Sequence, residues 1–168
     1  MHTIRCFCGS TSCRAHRAER VTPFRKTMLP AFRAMMKESS SDFGSAWARH
    51  ISLVFSSGPS WHNARNFAVL EGGKITSVFS LRREVQALVI YFLLIRKNQQ
   101  GRGIGTAVIH FAEKEAKKSG ASFLRLDAYA SKGKGAMAFY KKLGFKIGGR
   151  VHNYEEAGDN QVFLYKKV

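Results

Sequence analysis

Gly101, Gly103 and Gly105 stand in the stretch NQQGRGIGTAV, between a run that reads as a strand and one that reads as a helix. Backbone without side chains at such a corner lets an anion approach the N–H groups. The N-terminal dipole of the following helix favours the same charge. The chemistry these residues suit is phosphate or pyrophosphate binding. Gln100 and Arg102 add side-chain donors, and Arg102 also adds charge. A tight turn that binds nothing would use the same glycines, so the corner needs support from elsewhere in the chain.

Three kinds of site use such a corner. A nucleotide-triphosphatase loop needs Lys-Ser/Thr after its last glycine, and here Gly105 is followed by Thr106-Ala107. A dinucleotide fingerprint needs Gly-x-Gly-x-x-Gly, and the third position is Thr106. Asp127 lies at about the distance that fingerprint asks of its acidic residue, so spacing alone leaves it open. The position of the corner, after several strands and with few β-α units behind it, weighs against it. The third kind is a coenzyme A site.

A second motif supports that third kind. LLIRKNQQGRGIGTAVI resembles the acyl-coenzyme A signature of the GNAT N-acetyltransferases, with Gln100, Gly103 and Gly105 at the motif positions. AMAFYKKLGF (Ala136–Phe145) is similar to that family's Ala-x-x-x-Tyr-x-x-x-Gly-Phe element, one helix and one strand further on. The resemblance runs from about Asn66 to Val168. It implies acetyl-coenzyme A as cofactor, with Gln100 and the segment Gly101, Arg102, Gly103, Ile104, Gly105 and Thr106 around its pyrophosphate. It gives Leu93, Leu94 and Ile95 the backbone hydrogen bonds to the pantetheine arm. Tyr140 inherits the role of the acid that protonates the departing thiolate, against a plainer reading as a core aromatic beside Phe139 and Phe145.

The resemblance departs in two places. The asparagine that many relatives carry before the tyrosine is missing from SKGKG, and ALVIYFLLI holds no acidic residue where many have a glutamate. By similarity to relatives that carry an acidic residue in the strand before the tyrosine, Asp127 is the first choice for the general base, and Glu84 is the second. For Asp127 the plain alternative is a surface carboxylate salt-bridged to Arg125. An amine that is already neutral needs no dedicated base.

The elements that must position these residues follow from periodicity. NFAVLEGGKITSVFSLRR reads as strand, Gly-Gly turn, strand. ALVIYFLLI, continuously apolar, reads as a central strand covered on both faces. TAVIHFAEKEAKKSG is a helix stopped by Gly120, SFLRLDAYA a strand, GAMAFYKKLGF a short helix, and the remainder a hairpin. Before these, Thr3–Phe7 reads as a strand and SCRAHRAERV as a short helix. A longer helix is expected to be capped by Thr22, with Pro23 at its first position and a bend or split at Pro30. SAWARHISLVFSSG is a further helix. The expected fold class is α/β, a single domain with a mixed twisted sheet of about six to seven strands flanked by helices. Residues 1–65 would form the acceptor side and 66–168 the acetyl-coenzyme A core. Trp47, Phe55 and Trp61 can line the acceptor cleft or belong to the core.

Composition sets the outer bounds. The 168 residues carry 28 Lys+Arg against 11 Asp+Glu, net +17, which favours an anionic ligand or partner. Basic residues are spread rather than blocked, and no zinc-finger or RNA-binding aromatic motif is present, so dedicated nucleic-acid binding is the lesser expectation. Cys6, Cys8, Cys13 and His16 lie close together, but without paired CxxC spacing they read as reduced structural residues, and no metal is expected. No apolar run spans a bilayer and no secretory leader is evident, which gives the expectation of a cytoplasmic protein. The expected function is acetyl transfer to a primary amine of a small molecule or a protein, without a covalent enzyme intermediate. A homodimer is possible by resemblance. The competing expectation is a non-catalytic basic module of the same fold that binds RNA, the ribosome or another anionic partner.

Overall fold

A computed structural model describes residues 2–4, 19–39, 45–57, 63–129, 134–151 and 161–168. Its strands and helices make an α/β fold with both antiparallel and parallel strand pairs. The chain forms two compact units, Met1–Ser80 with Phe92–Ile109, and Leu81–Tyr91 with His110–Val168.

In the first unit the strands are β1 (His2–Ile4), β2 (Glu19–Pro23), β3 (Ala64–Glu71), most of β4 (Lys74–Arg83) and the end of β5 (Ala87–Ile95), in that order. β1 and β2 pair antiparallel, as do β2 and β3, the latter with Val21 opposite Val69 and Pro23 opposite Phe67. Thr22 and Pro23 thus end a strand rather than start a helix, and with β2 the described residues hold eight strands. The physical reason is that Pro23 is the last ladder residue, where its missing N–H costs no interior hydrogen bond. The helix begins later: α1 is Leu29–Glu38, with Pro30 in its first turn, where proline is tolerated. The proline expected to bend or split the helix instead opens it. Cys6, Cys8, Cys13, His16, Trp61 and most of SCRAHRAERV lie outside the described residues.

Helices α1 and α2 (Ser45–Ser56) supply an aromatic cluster. Phe32 and Phe55 stack at 4.5 Å, and Phe24 meets both edge-on. Phe55 also meets Phe92 of β5 at 5.6 Å. Phe32, Phe55 and Phe92 are all buried, so Phe55 is core and not a cleft residue. Each such aromatic pair contributes about 0.5–1.5 kcal/mol beyond its area. Asn66 of β3 donates to the Val54 carbonyl of α2 at 3.0 Å and accepts from Ser80 Oγ at 2.7 Å, which ties helix to strand.

In the second unit the strand order is β5 (Ala87–Ile95, here to Tyr91), β6 (Phe123–Tyr129), β8 (Gln161–Lys167) and β7 (Lys146–Val151). β5 and β6 pair in parallel from Ala87 opposite Phe123 to Ile90 opposite Leu126. Parallel neighbours need a crossover, which α3 (Ile104–Lys118) provides. Alternation on β6 and β8 buries Leu124, Leu126, Val162 and Leu164, while Phe123, Arg125, Phe163 and Tyr165 take the other face. Phe163 lies directly on β7: a Cβ added to Gly148 would stand 2.0 Å from its ring, which leaves glycine as the residue that fits. α4 (Lys134–Lys142) ends at Gly144, with Phe145 N–H returning to the Tyr140 carbonyl.

Candidate functional site

The glycine corner lies in the first unit, between the end of β5 and the start of α3. Gly101 and Gly103 have φ of 76° and 84°, the left-handed region where a side chain is strained. A Cβ at either would meet no protein atom within 4 Å. The conformation demands glycine, and the space in front of it is open. The first hydrogen bond of α3 into this corner runs from Ala107 N–H to the Gly103 carbonyl at 3.0 Å. Among the described residues the N–H groups of Ile104, Gly105 and Thr106 therefore have no helical acceptor and point out of the helix start. Left-handed backbone, open space and free donors at a positive dipole end fit a diphosphate.

The flanking residues are fixed. Arg96, the first residue after β5, donates from its backbone to Thr76 O at 3.0 Å and from Nε to Ile75 O at 2.9 Å. Its Nη1 meets both oxygens of Glu38, at 2.5 and 2.8 Å. Buried Ser77 donates to the Leu94 carbonyl at 2.9 Å. Gln100 Nε2 reaches the Ile95 carbonyl at 3.4 Å. Arg102 is paired with Glu71, its Nη1 and Nη2 lying 3.0 and 2.8 Å from the two carboxylate oxygens. Arg96, Ser77 and Glu71 carry no motif signal; each acts through a partner far along the chain, which spacing alone does not reveal.

Tyr140 and Asp127 lie in the second unit. Tyr140 is half-buried, with Phe139 at 5.1 Å and Phe145 edge-on at 5.7 Å. Burial pushes its hydroxyl up to about 12, so the phenol keeps its proton throughout the neutral and mildly alkaline range. Asp127 Oδ1 stands 3.5 Å from Arg125 Nη2. Glu84 accepts from Arg82 at 2.7 Å and from Arg125 at 3.0 Å, so both its oxygens are engaged by guanidinium groups. A proton acceptor needs a free lone pair, and of the two carboxylates Asp127 has more to spare.

The sequence matches the model of the Acetyltransferase (GNAT) family over residues 32–145, and the chain belongs to that family. As a member of that family it is an N-acetyltransferase that takes its acetyl group from acetyl-coenzyme A. No curated protein matches it by sequence. Among solved structures it is similar to the ribosomal-protein-S18-alanine N-acetyltransferase from Escherichia coli. That match has a TM-score of 0.73 and 20% identity over 89% of this chain and 94% of that one. It is also similar to the Salmonella typhimurium acetyl transferase that modifies the N-terminal serine of ribosomal protein L7/L12, with TM-score 0.75, 12% identity, and 92% and 96% covered. A third is the PaiA N-acetyltransferase of Thermoplasma acidophilum in complex with coenzyme A, with TM-score 0.68, 16% identity, and 89% and 99% covered. Among the described residues no helix is long and apolar enough to cross a membrane.

Proposed function

We propose that the glycine corner holds the pyrophosphate of acetyl-coenzyme A and that the chain passes the acetyl group directly to a primary amine. The carrying observation is the pair of left-handed glycines facing open space before a helix start with free N–H groups. In this reading Gly101, Arg102, Gly103, Ile104, Gly105 and Thr106 form the cradle, and Gln100 borders it. Leu93, Leu94 and Ile95 offer backbone groups to the pantetheine arm, with the Leu94 peptide steadied by Ser77. The division of labour is one domain over 1–168, in which 66–168 binds the cofactor and 1–65 shapes the acceptor side.

The bound donor supplies an activated thioester carbonyl. A neutral acceptor nitrogen bonds to that carbon, the carbon–sulfur bond breaks, one proton leaves the nitrogen and one reaches sulfur. Tyr140 holds the second proton at Oη. A free thiol has a pKa of about 8.5, so a phenol at about 12 is the weaker acid. Its main contribution is a hydrogen bond that strengthens as charge develops on sulfur, with full transfer following where the sulfur is desolvated. Asp127 is the residue proposed to take the proton from nitrogen; an amine already neutral passes it to water.

The acceptor is a small amine, an amino acid or a protein N-terminus. Two structural neighbours modify ribosomal proteins, which supports including the last of these. Family membership favours catalysis over the non-catalytic module. A panel of amines and peptides with free N-termini, followed by release of coenzyme A thiol, tests the reading. Turnover with at least one amine is expected; binding of RNA without any turnover across the panel would select the non-catalytic module.

A further inference from the structure

We propose that Glu71 is a positioning residue for coenzyme A binding, acting through Arg102. This inference rests on the reading of the glycine corner as the pyrophosphate cradle. Glu71 is the last residue of β3, and its side chain is 16% exposed. It accepts from both terminal nitrogens of Arg102 in a two-point fork. Arg102 Nη1 also donates to Gln99 Oε1. Arg102 stands between Gly101 and Gly103, whose φ angles are 76° and 84°. One guanidinium thus clamps the two glycines with the widest conformational freedom in the loop to a strand end 31 residues away.

Two consequences follow. Both hydrogens of Arg102 Nη1 are used within the protein, so only Nε–H and the second hydrogen of Nη2 remain for a phosphate. The main service of Arg102 is then to shape the cradle, and its charge is largely answered by Glu71. Second, the left-handed pair is set before any ligand arrives. Without the clamp the loop samples other conformations, and binding must repay the ordering. A rival view treats Glu71 as a competitor that withholds Arg102 from the phosphates. The two views differ in sign: removing Glu71 weakens binding in the first and tightens it in the second.

Glu71→Gln keeps the shape and removes the charge. Coenzyme A binding is measured by titration calorimetry on the full chain in about 1 M salt, where the screening length of about 3 Å mutes the change in net charge. The expected result is a Kd higher by roughly tenfold, within the range for coupled neighbours, with kcat close to wild type and KM for acetyl-coenzyme A raised. Amide exchange of the ligand-free protein gives a second readout. Gln99, Gln100 and Ala107 N–H groups, bonded to the Arg96, Lys97 and Gly103 carbonyls, should lose protection in the variant, while the body of α3 keeps it. A variant that binds coenzyme A as tightly as or more tightly than wild type, or unchanged exchange at these three amides, overturns the inference alone. A wild-type chain that does not bind coenzyme A overturns the cradle and this inference with it.

Discussion

Replacing Gly103 separates a turn from a cradle. At φ 84° an alanine pays roughly 1–2 kcal/mol for the left-handed backbone. It pays nothing for packing, because no protein atom lies within 4 Å of its Cβ. For a chain of this length that is a fall in melting temperature of about 2–8 °C. Asparagine tolerates the same conformation better, so Gly103→Asn should cost about 1 kcal/mol or less. Its side chain, however, extends into the open space in front of the α3 N-terminus. If the pyrophosphate sits there, the loss of one charge-assisted hydrogen bond, about 1.5–3 kcal/mol, raises the Kd for coenzyme A about 10- to 100-fold. The assay is a thermal melt beside a calorimetric titration of the same preparation. Near-normal stability with strongly reduced binding is the expected pair. Asparagine at this position with wild-type affinity would refute the reasoning and leave Gly103 as a turn residue only.

The other predictions concern Tyr140 and the core. Tyr140→Phe should lower kcat by about 10²- to 10³-fold, within the range for a positioned acid, and leave coenzyme A affinity unchanged; an unaltered rate in a thiol-release assay removes it as the proton donor. Because the Tyr140 hydroxyl is raised to about 12 from an unfolded value near 10, the unfolded chain loses this proton first. Its contribution to stability is therefore complete below about pH 10 and is lost as pH rises towards about 12. Urea melts of wild type and Tyr140→Phe should keep a constant offset up to about pH 9.5 and diverge from it above about pH 10. Phe32→Ala removes a fully buried ring from the cluster with Phe24 and Phe55 and should cost about 3–5 kcal/mol in a denaturant titration. A loss below about 1 kcal/mol would mean the cluster is not a packed core.

The middle and end of the fold were legible because the pattern there is local. LEGGKIT gave a strand, a turn and a strand, and β3 and β4 flank Gly72 and Gly73 with φ of 56° and 81°. ALVIYFLLI is β5 from first residue to last. The N-terminal third misled because Thr22-Pro23 has the chemistry of a helix start, while its fate is decided by a ladder to Ala68 and Phe67 more than forty residues away. The corner glycines and Tyr140 were legible as motif positions. The ties around the glycine corner were not: the Arg96 pair with Glu38, the Ser77 bond to Leu94 and the Glu71 fork on Arg102 depend on the strands being assembled. Phe55 shows the limit of composition, since an aromatic that could line a cleft is packed among Phe24, Phe32 and Phe92.

The most direct test of the account is the melting temperature of the purified chain with and without acetyl-coenzyme A. At a ligand concentration about 100 times Kd, binding to the native state adds about 2.7 kcal/mol. For a chain of this size that is a rise of about 5–10 °C. The account predicts such a rise, saturating with concentration and accompanied by binding heat. An unchanged melting temperature and no heat at millimolar ligand would contradict it.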